Sequence, residues 1–210
     1  MFQSTFVKVQ LIALLFLSVN TFSQENSNFM IVIGNDTIPI NLNESKTATI
    51  LNKKNTDIKL IQPDVLTYQD EMISFNYNNN LSVSNSDLGD GIEQCALLNA
   101  NGSGFMVQKY SSFNPSLLTE LMLNELTKES VNYGYSIEKD DFSSKLKSGQ
   151  TITGTTATLT YKGETESYTV ATYGQKDEGI LVVTMLLNNE YIESDQKLID
   201  LFLNSLTLYF

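Results

Sequence analysis

Near the C-terminal end, residues 180–187 read ILVVTMLL, a run interrupted by only one polar side chain, Thr184. A run of this length is too short to cross a bilayer as a helix, and its Val and Ile content and flanking turn residues favour a strand over a helix. With no polar alternation it needs cover on both faces, so it is predicted to be a central strand. The preceding segments support this reading. Residues 150–162 (QTITGTTATLTYK) and 166–174 (ESYTVATYG) are rich in Thr and β-branched residues and flank the turn KGE at Lys162 to Glu164. This is the pattern of a β-hairpin, and the turn QKDEG then leads into the apolar run. The second half of the chain must therefore organise around a sheet.

Disulfides cannot substitute for a core here, because Cys95 is the only cysteine and no intramolecular disulfide can form. Its setting, IEQCALL, reads as a strand in which the thiol is a small buried hydrophobe.

The first residues read as a secretory leader. A single Lys8 precedes the apolar run 9–19 (VQLIALLFLSV), and the small Ser23 stands before Gln24. The run is too short to span a bilayer but has the length of a signal h-region. Residues 1–23 are therefore expected to be cleaved near Ser23 and Gln24, delivering the mature chain to a periplasm or the extracellular space. No later segment is apolar enough for membrane insertion. The mature chain, about 187 residues, has the size of one domain with a small appendage.

Charge and composition exclude several functions. The formal net charge is -11, the thirteen basic residues are all Lys, and Arg, His and Trp are absent. Scattered lysines on an acidic chain make nucleic acid an unfavourable partner, since phosphate polyanions need concentrated positive charge. Without His, the usual general base and commonest metal ligand are missing. NGSG around Ser103 lacks the GxSxG spacing, and Gly102 and Gly104 do not extend to a phosphate-binding glycine loop. Neither catalytic residues nor a cofactor are expected.

Residues 24–70 carry short β-branched runs, FMIVI, TIPINL, TATIL and DIKLI, with GNDT at 34–37 as a hairpin turn. They are predicted to form a β-rich extension. From Met72 the segments MISFNY and LSVS suggest two strands, NSDLGDG a loop, and IEQCALLN and GFMVQKY two more strands. A helix comes next, with Asn114 as N-cap, Pro115 in its first turn, Leu117, Leu118, Leu121, Met122 and Leu126 as its core stripe, and Gly134 at its end. A second helix begins near Ser194 and carries Leu198, Ile199, Leu201 and Phe202, ahead of a terminal LTLYF.

Four stretches together resemble the PsbP-like family over about residues 72–210. They are ISFNYNNNLSVS, the helix after GFMVQKYSSFNP, the paired strands ITGTTATLTYK and ESYTVATYG, and the closing DQKLIDLFLNSLTL. The resemblance implies an α+β fold at 71–210, an antiparallel β-sheet flanked by helices (a PsbP-like sandwich), with the short β-rich extension preceding it. It also implies a nonenzymatic binding or assembly accessory, and the expected export makes an envelope or extracellular protein its expected partner.

Three carboxylates, Asp87, Asp90 and Glu93, lie in the glycine-containing SDLGDGIE and are the weak metal candidates, because Ca²⁺ prefers oxygen ligands from such loops. Counted from Asn85, however, the fifth position is Gly89 and the glycine position is Asp90, so the EF-hand pattern is not met. An ordinary solvated turn is the simpler reading. A partner surface is expected from exposed tyrosines and acidic residues, with Tyr133, Tyr135, Glu138, Asp140 and Asp141 as candidates. The alternative function is a secreted carboxylate-dependent hydrolase or a Ca-dependent carbohydrate binder, since carboxylates are the abundant catalytic resource.

Overall fold

The structure, a computed structural model, describes residues 29–41, 45, 57–187 and 189–210. The expected leader and the expected strand TATIL lie outside these residues. The elements run β1 (Phe29–Ile33), β2 (Asp36–Ile40), β3 (Ile58–Ile61), β4 (Val65–Gln69), β5 (Ile73–Asn78), β6 (Ser84–Gly89), β7 (Ile92–Leu98) and β8 (Gly104–Tyr110). A 3₁₀ turn (Pro115–Leu118) then leads into α1 (Thr119–Tyr133), β9 (Ser136–Lys145), β10 (Thr151–Tyr161), β11 (Glu164–Gly174) and β12 (Gly179–Leu186). A second 3₁₀ turn (Asn189–Tyr191), α2 (Ile192–Ser205) and β13 (Thr207–Leu208) complete the order.

The fold corrects the expectation of an α+β sandwich with helices flanking one sheet. Strands dominate the described residues and form three antiparallel sheets, in the orders β2-β1-β3, β6-β7-β8-β12-β11-β10-β9 and β13-β5-β4, against two α-helices. The protein is β-rich. The excess of strand comes from three segments that do not read as strands: β4, β6 and β9. Each is the edge of its sheet, where pairing on one side is enough, and in β6 and β9 polar or charged side chains are favoured because they discourage further pairing. Thus NSDLG, expected as a loop, is β6, and the charged SIEKDDFSSK is β9. β4 lies before residue 70 but pairs with β5, from Val65↔Asn78 to Gln69↔Ser74.

The apolar run forms the expected central strand. β12 lies between β8 and β11 and is covered on both faces. Ile180 and Val182 enter one core, while Leu181 and Val183 enter another across the sheet. On the first face the small β13-β5-β4 sheet and α2 supply Leu66, Tyr68, Ile73, Phe75, Leu198 and Phe202. On the second face α1 rests on β10 and β11, and Leu123 meets Ala157, Leu159, Tyr168 and Val170. The hairpin at KGE turns through Lys162 (φ 50°) and Gly163 (φ 89°), successive left-handed residues as a tight primed turn requires.

The first helix stops where its sequence dictates, but its α-helical part starts only at Thr119, after a 3₁₀ turn. Asn114 caps the 3₁₀ turn by accepting from the Ser116 N–H, and Gly134, at φ 116°, closes α1. Its buried side differs from the expected stripe. Leu123 and Thr127 are the buried positions, with Leu118, Met122 and Leu126 beside them. Leu117 is 93% exposed and Leu121 52%. Leu117 belongs to the 3₁₀ turn, whose tighter winding takes it out of register with the α-helical stripe that comes after it.

An aromatic trio joins the layers of the first core. Phe105 of β8 and Phe202 of α2 stack at 3.8 Å and 8°, and Phe75 of β5 meets both edge-on at 5.1 and 5.2 Å. All three are essentially fully buried. Phe202→Ala removes the helix's contribution and leaves a void between two sheet layers, so it is expected to lower unfolding free energy by about 3–5 kcal/mol, read from urea denaturation.

Candidate functional site

Two side-chain constellations stand out, one buried and one exposed. The buried one begins with Lys109, near the end of β8, a strand whose seven residues are all buried. An ammonium here must find anionic partners, because an unpaired buried charge is prohibitively unfavourable. Its neighbour across β7, Glu93, lies directly opposite in register, and Glu93 Oε2 accepts from Nζ at 2.7 Å. Asp70, just past the end of β4, comes from the small sheet, and its Oδ2 accepts from Nζ at 2.6 Å. The Lys109 and Asp70 side chains are only 6% and 17% exposed, whereas Glu93 is 65% exposed.

Asp70 is held from several directions. Its Oδ1 accepts from the Met72 and Ile73 N–H groups, both at 2.8 Å. The Tyr68 hydroxyl lies 2.9 Å from Oδ2 and 2.8 Å from Asn85 Oδ1, and its single proton serves one of them at a time. Burial opposes ionisation of Asp70, but the hydrogen bonds from Lys109, Ile73 and Met72 outweigh it and hold the carboxyl below its ordinary range. Burial likewise opposes the Lys109 charge, and the bonds to Asp70 and Glu93 overcome it and raise the ammonium above its ordinary range. Tyr68 is pushed upward, first by burial and then by neighbouring negative charge. At rest, then, Asp70 and Lys109 are held as an ion pair.

Cys95, in β7, borders this cluster and is completely buried. Burial pushes its thiol up to about 12, partly offset by Lys109. Since the thiolate is the reactive form, the native protein is expected not to react with an aromatic disulfide reagent at pH 8, and to release one thiol equivalent on unfolding in guanidinium.

The exposed constellation forms where α1 ends. Gly134 turns the chain in the left-handed conformation and sits under the Tyr161 ring, where an added Cβ would come within 3.6 Å of it. Its two neighbours, Tyr133 and Tyr135, are thereby brought against Tyr161 of β10. Tyr135 and Tyr161 stack at 5.2 Å, Tyr133 meets Tyr161 edge-on at 5.3 Å, and Tyr133 itself is 71% exposed. The Lys162 ammonium lies 4.9 Å from the Tyr161 ring centre. Beside the rings, Tyr135 donates to Glu164, and Ser130 and Tyr168 donate to Glu166.

The predicted partner residues are brought together only in part. Tyr133 and Tyr135 meet, and Tyr161 joins them. Glu138 and Asp140 share one face of β9 with Phe142, which packs into the first core, whereas Tyr135 and Ile137 belong to the second. These two carboxylates therefore occupy the other face of the sheet. Asp141 shares the tyrosine face but lies six residues along the strand, about 20 Å away at 3.3 Å per residue.

The acidic loop is likewise dispersed. Asp87 pairs across from Glu93 and accepts the Gly89 N–H at 2.8 Å, Asp90 holds the tight turn at φ 54°, and Glu93 is engaged by Lys109. Among the described residues no three Asp, Glu or Cys side chains gather as a metal site. Asp70, Lys109, Tyr68 and Tyr161 were not singled out by sequence reasoning. One signal was present: a lone charge in the largely apolar GFMVQKY implies a buried partner.

No protein-family model matches the chain, and no curated protein matches it. Among the described residues no helix is long and apolar enough to cross a membrane.

Proposed function

We propose that this protein is an exported, noncatalytic binding or assembly accessory that engages an envelope or extracellular protein through the Tyr133, Tyr135 and Tyr161 surface. The observation that carries the reading is the tyrosine cluster itself. Three aromatic rings meet at the surface, on a helix end and a rigid hairpin. Tyrosine supplies large contact area with little loss of rotamer entropy and is enriched at the energetic centres of protein interfaces. Glu164 and Glu166 beside the rings, with the Lys162 ammonium over Tyr161, give the patch a rim of mixed charge, suited to a partner presenting charged side chains. The leader-like residues 1–23 support export, and the resemblance of residues 72–210 to the PsbP-like family favours an accessory role.

The test is affinity capture by the tagged mature chain from envelope and secreted fractions, with crosslinking and mass spectrometry. A partner recovered near equal stoichiometry and crosslinked around the tyrosines is the expected result. Tyr133→Ala with Tyr161→Ala should weaken that partner's binding by at least tenfold while leaving the melting temperature within a few degrees, because hot-spot aromatics each contribute about 2 kcal/mol or more. A partner whose binding ignores both substitutions would overturn the surface assignment.

A further inference from the structure

The buried Lys109 cluster contains every part needed to make an amide bond between its own side chains. We propose that in the folded protein Lys109 Nζ and Asp70 Cγ become joined as an isopeptide bond, with Glu93 as the base. This cross-link would fasten β8 of the seven-stranded sheet to the end of β4 in the small sheet, in a chain whose single cysteine cannot form an intramolecular disulfide.

The roles are set by the contacts. Nζ is the nucleophile and already touches Asp70 Oδ2 at 2.6 Å. Glu93 Oε2, at 2.7 Å from the same nitrogen, is placed to take its proton. The Met72 and Ile73 N–H groups, at 2.8 Å from Oδ1, face the oxygen on which negative charge develops, as an oxyanion hole does. The Tyr68 hydroxyl, 2.9 Å from Oδ2, can donate to the oxygen that leaves.

The reaction begins from the ion pair. One proton moves along the hydrogen bond from Nζ to Oδ2, giving an amine and a carboxylic acid without changing the net charge. Burial of both groups opposes the ions and so lowers the cost of this transfer, although the hydrogen bonds keep the ion pair as the resting form. Nζ attacks Cγ, its second proton passes to Glu93, and Oδ1 takes the negative charge. Collapse of this intermediate expels Oδ2, which receives the proton from Glu93 and departs as water. One C–N bond forms, one C–O bond breaks, and no oxidant or reductant is involved. Holding nucleophile and acceptor in contact within the fold supplies the effective concentration that an amine and an acid lack in water.

The experiment is the intact mass of the purified mature protein, measured after denaturation. The expected mass lies one water below that of the sequence. A protease digest should contain a branched peptide joining Asp70 to Lys109, with tryptic cleavage after Lys109 lost. Glu93→Gln, at an exposed side chain, should stay folded by circular dichroism and show the full sequence mass. A natively folded wild-type chain at full mass would overturn the proposal. A branch at Glu93 instead of Asp70, or a Glu93→Gln protein that still loses water, would overturn the assigned roles.

Acid stability gives an independent reading. In the unjoined chain Asp70 faces Lys109, Tyr68 and Cys95, and its bonds to Lys109, Ile73 and Met72 hold it below its ordinary 3.8 against burial; Glu93→Gln leaves all of these partners in place. The Asp70 contribution is present above that ordinary value and is lost as pH falls through the lower folded one. An amide has no such proton to gain, so the wild-type melting temperature should fall less between pH 5 and pH 2 than that of the variant. Equal falls would count against the bond.

Discussion

Everything else in this structure depends on β8 and β12 being covered on both faces. Two adjacent strands whose side chains alternate into separate cores cannot lie at a surface. They require a layer above and a layer below, and the chain supplies one with α1 and the other with the small sheet and α2. The Phe75, Phe105 and Phe202 contacts hold the second of these layers by dispersion and burial. Where that core meets its edge, the same β8 strand carries Lys109, so a buried charge is imposed at the seam between two sheets.

The seam explains why Asp70 and Glu93 are where they are. The ammonium cannot leave β8, which is buried along its whole length, and Glu93 is its fixed neighbour in the β7 ladder. Asp70 closes the site from the other sheet while its second oxygen caps the backbone of Met72 and Ile73. Electrostatics, strand pairing and turn formation are therefore satisfied by one carboxylate. A group constrained in this way has its reactivity set by geometry more than by residue type.

The tyrosine surface arises by a different route. It owes nothing to the core seam and everything to the way a helix ends. Gly134 permits the left-handed turn, and the tightness of that turn presses Tyr133 and Tyr135 onto the adjoining hairpin strand. The acidic residues expected beside them are separated by strand alternation, which sends Glu138 and Asp140 to the opposite face. Nearness in sequence and nearness on a surface diverge wherever the period is two.

By itself the sequence determined the interior elements. The apolar run became a central strand, the KGE hairpin formed, Asn114 capped the 3₁₀ turn that leads into the first helix and Gly134 ended that helix, and the absence of a second cysteine ruled out an internal disulfide, because each of these is dictated by local periodicity, backbone preference or composition. It did not disclose the edge strands β6 and β9, which polar and charged residues dominate, or β4, whose Leu66 and Tyr68 alternate inward over only five residues, and so it underestimated how far the fold is β-rich. Nor did it disclose the meeting of Asp70 with Lys109, 39 residues apart, or of Tyr161 with Tyr133 and Tyr135. Those contacts were decided by tertiary structure alone, since they depend on which sheet packs on which and in what register, and neither is written in any short window of the chain.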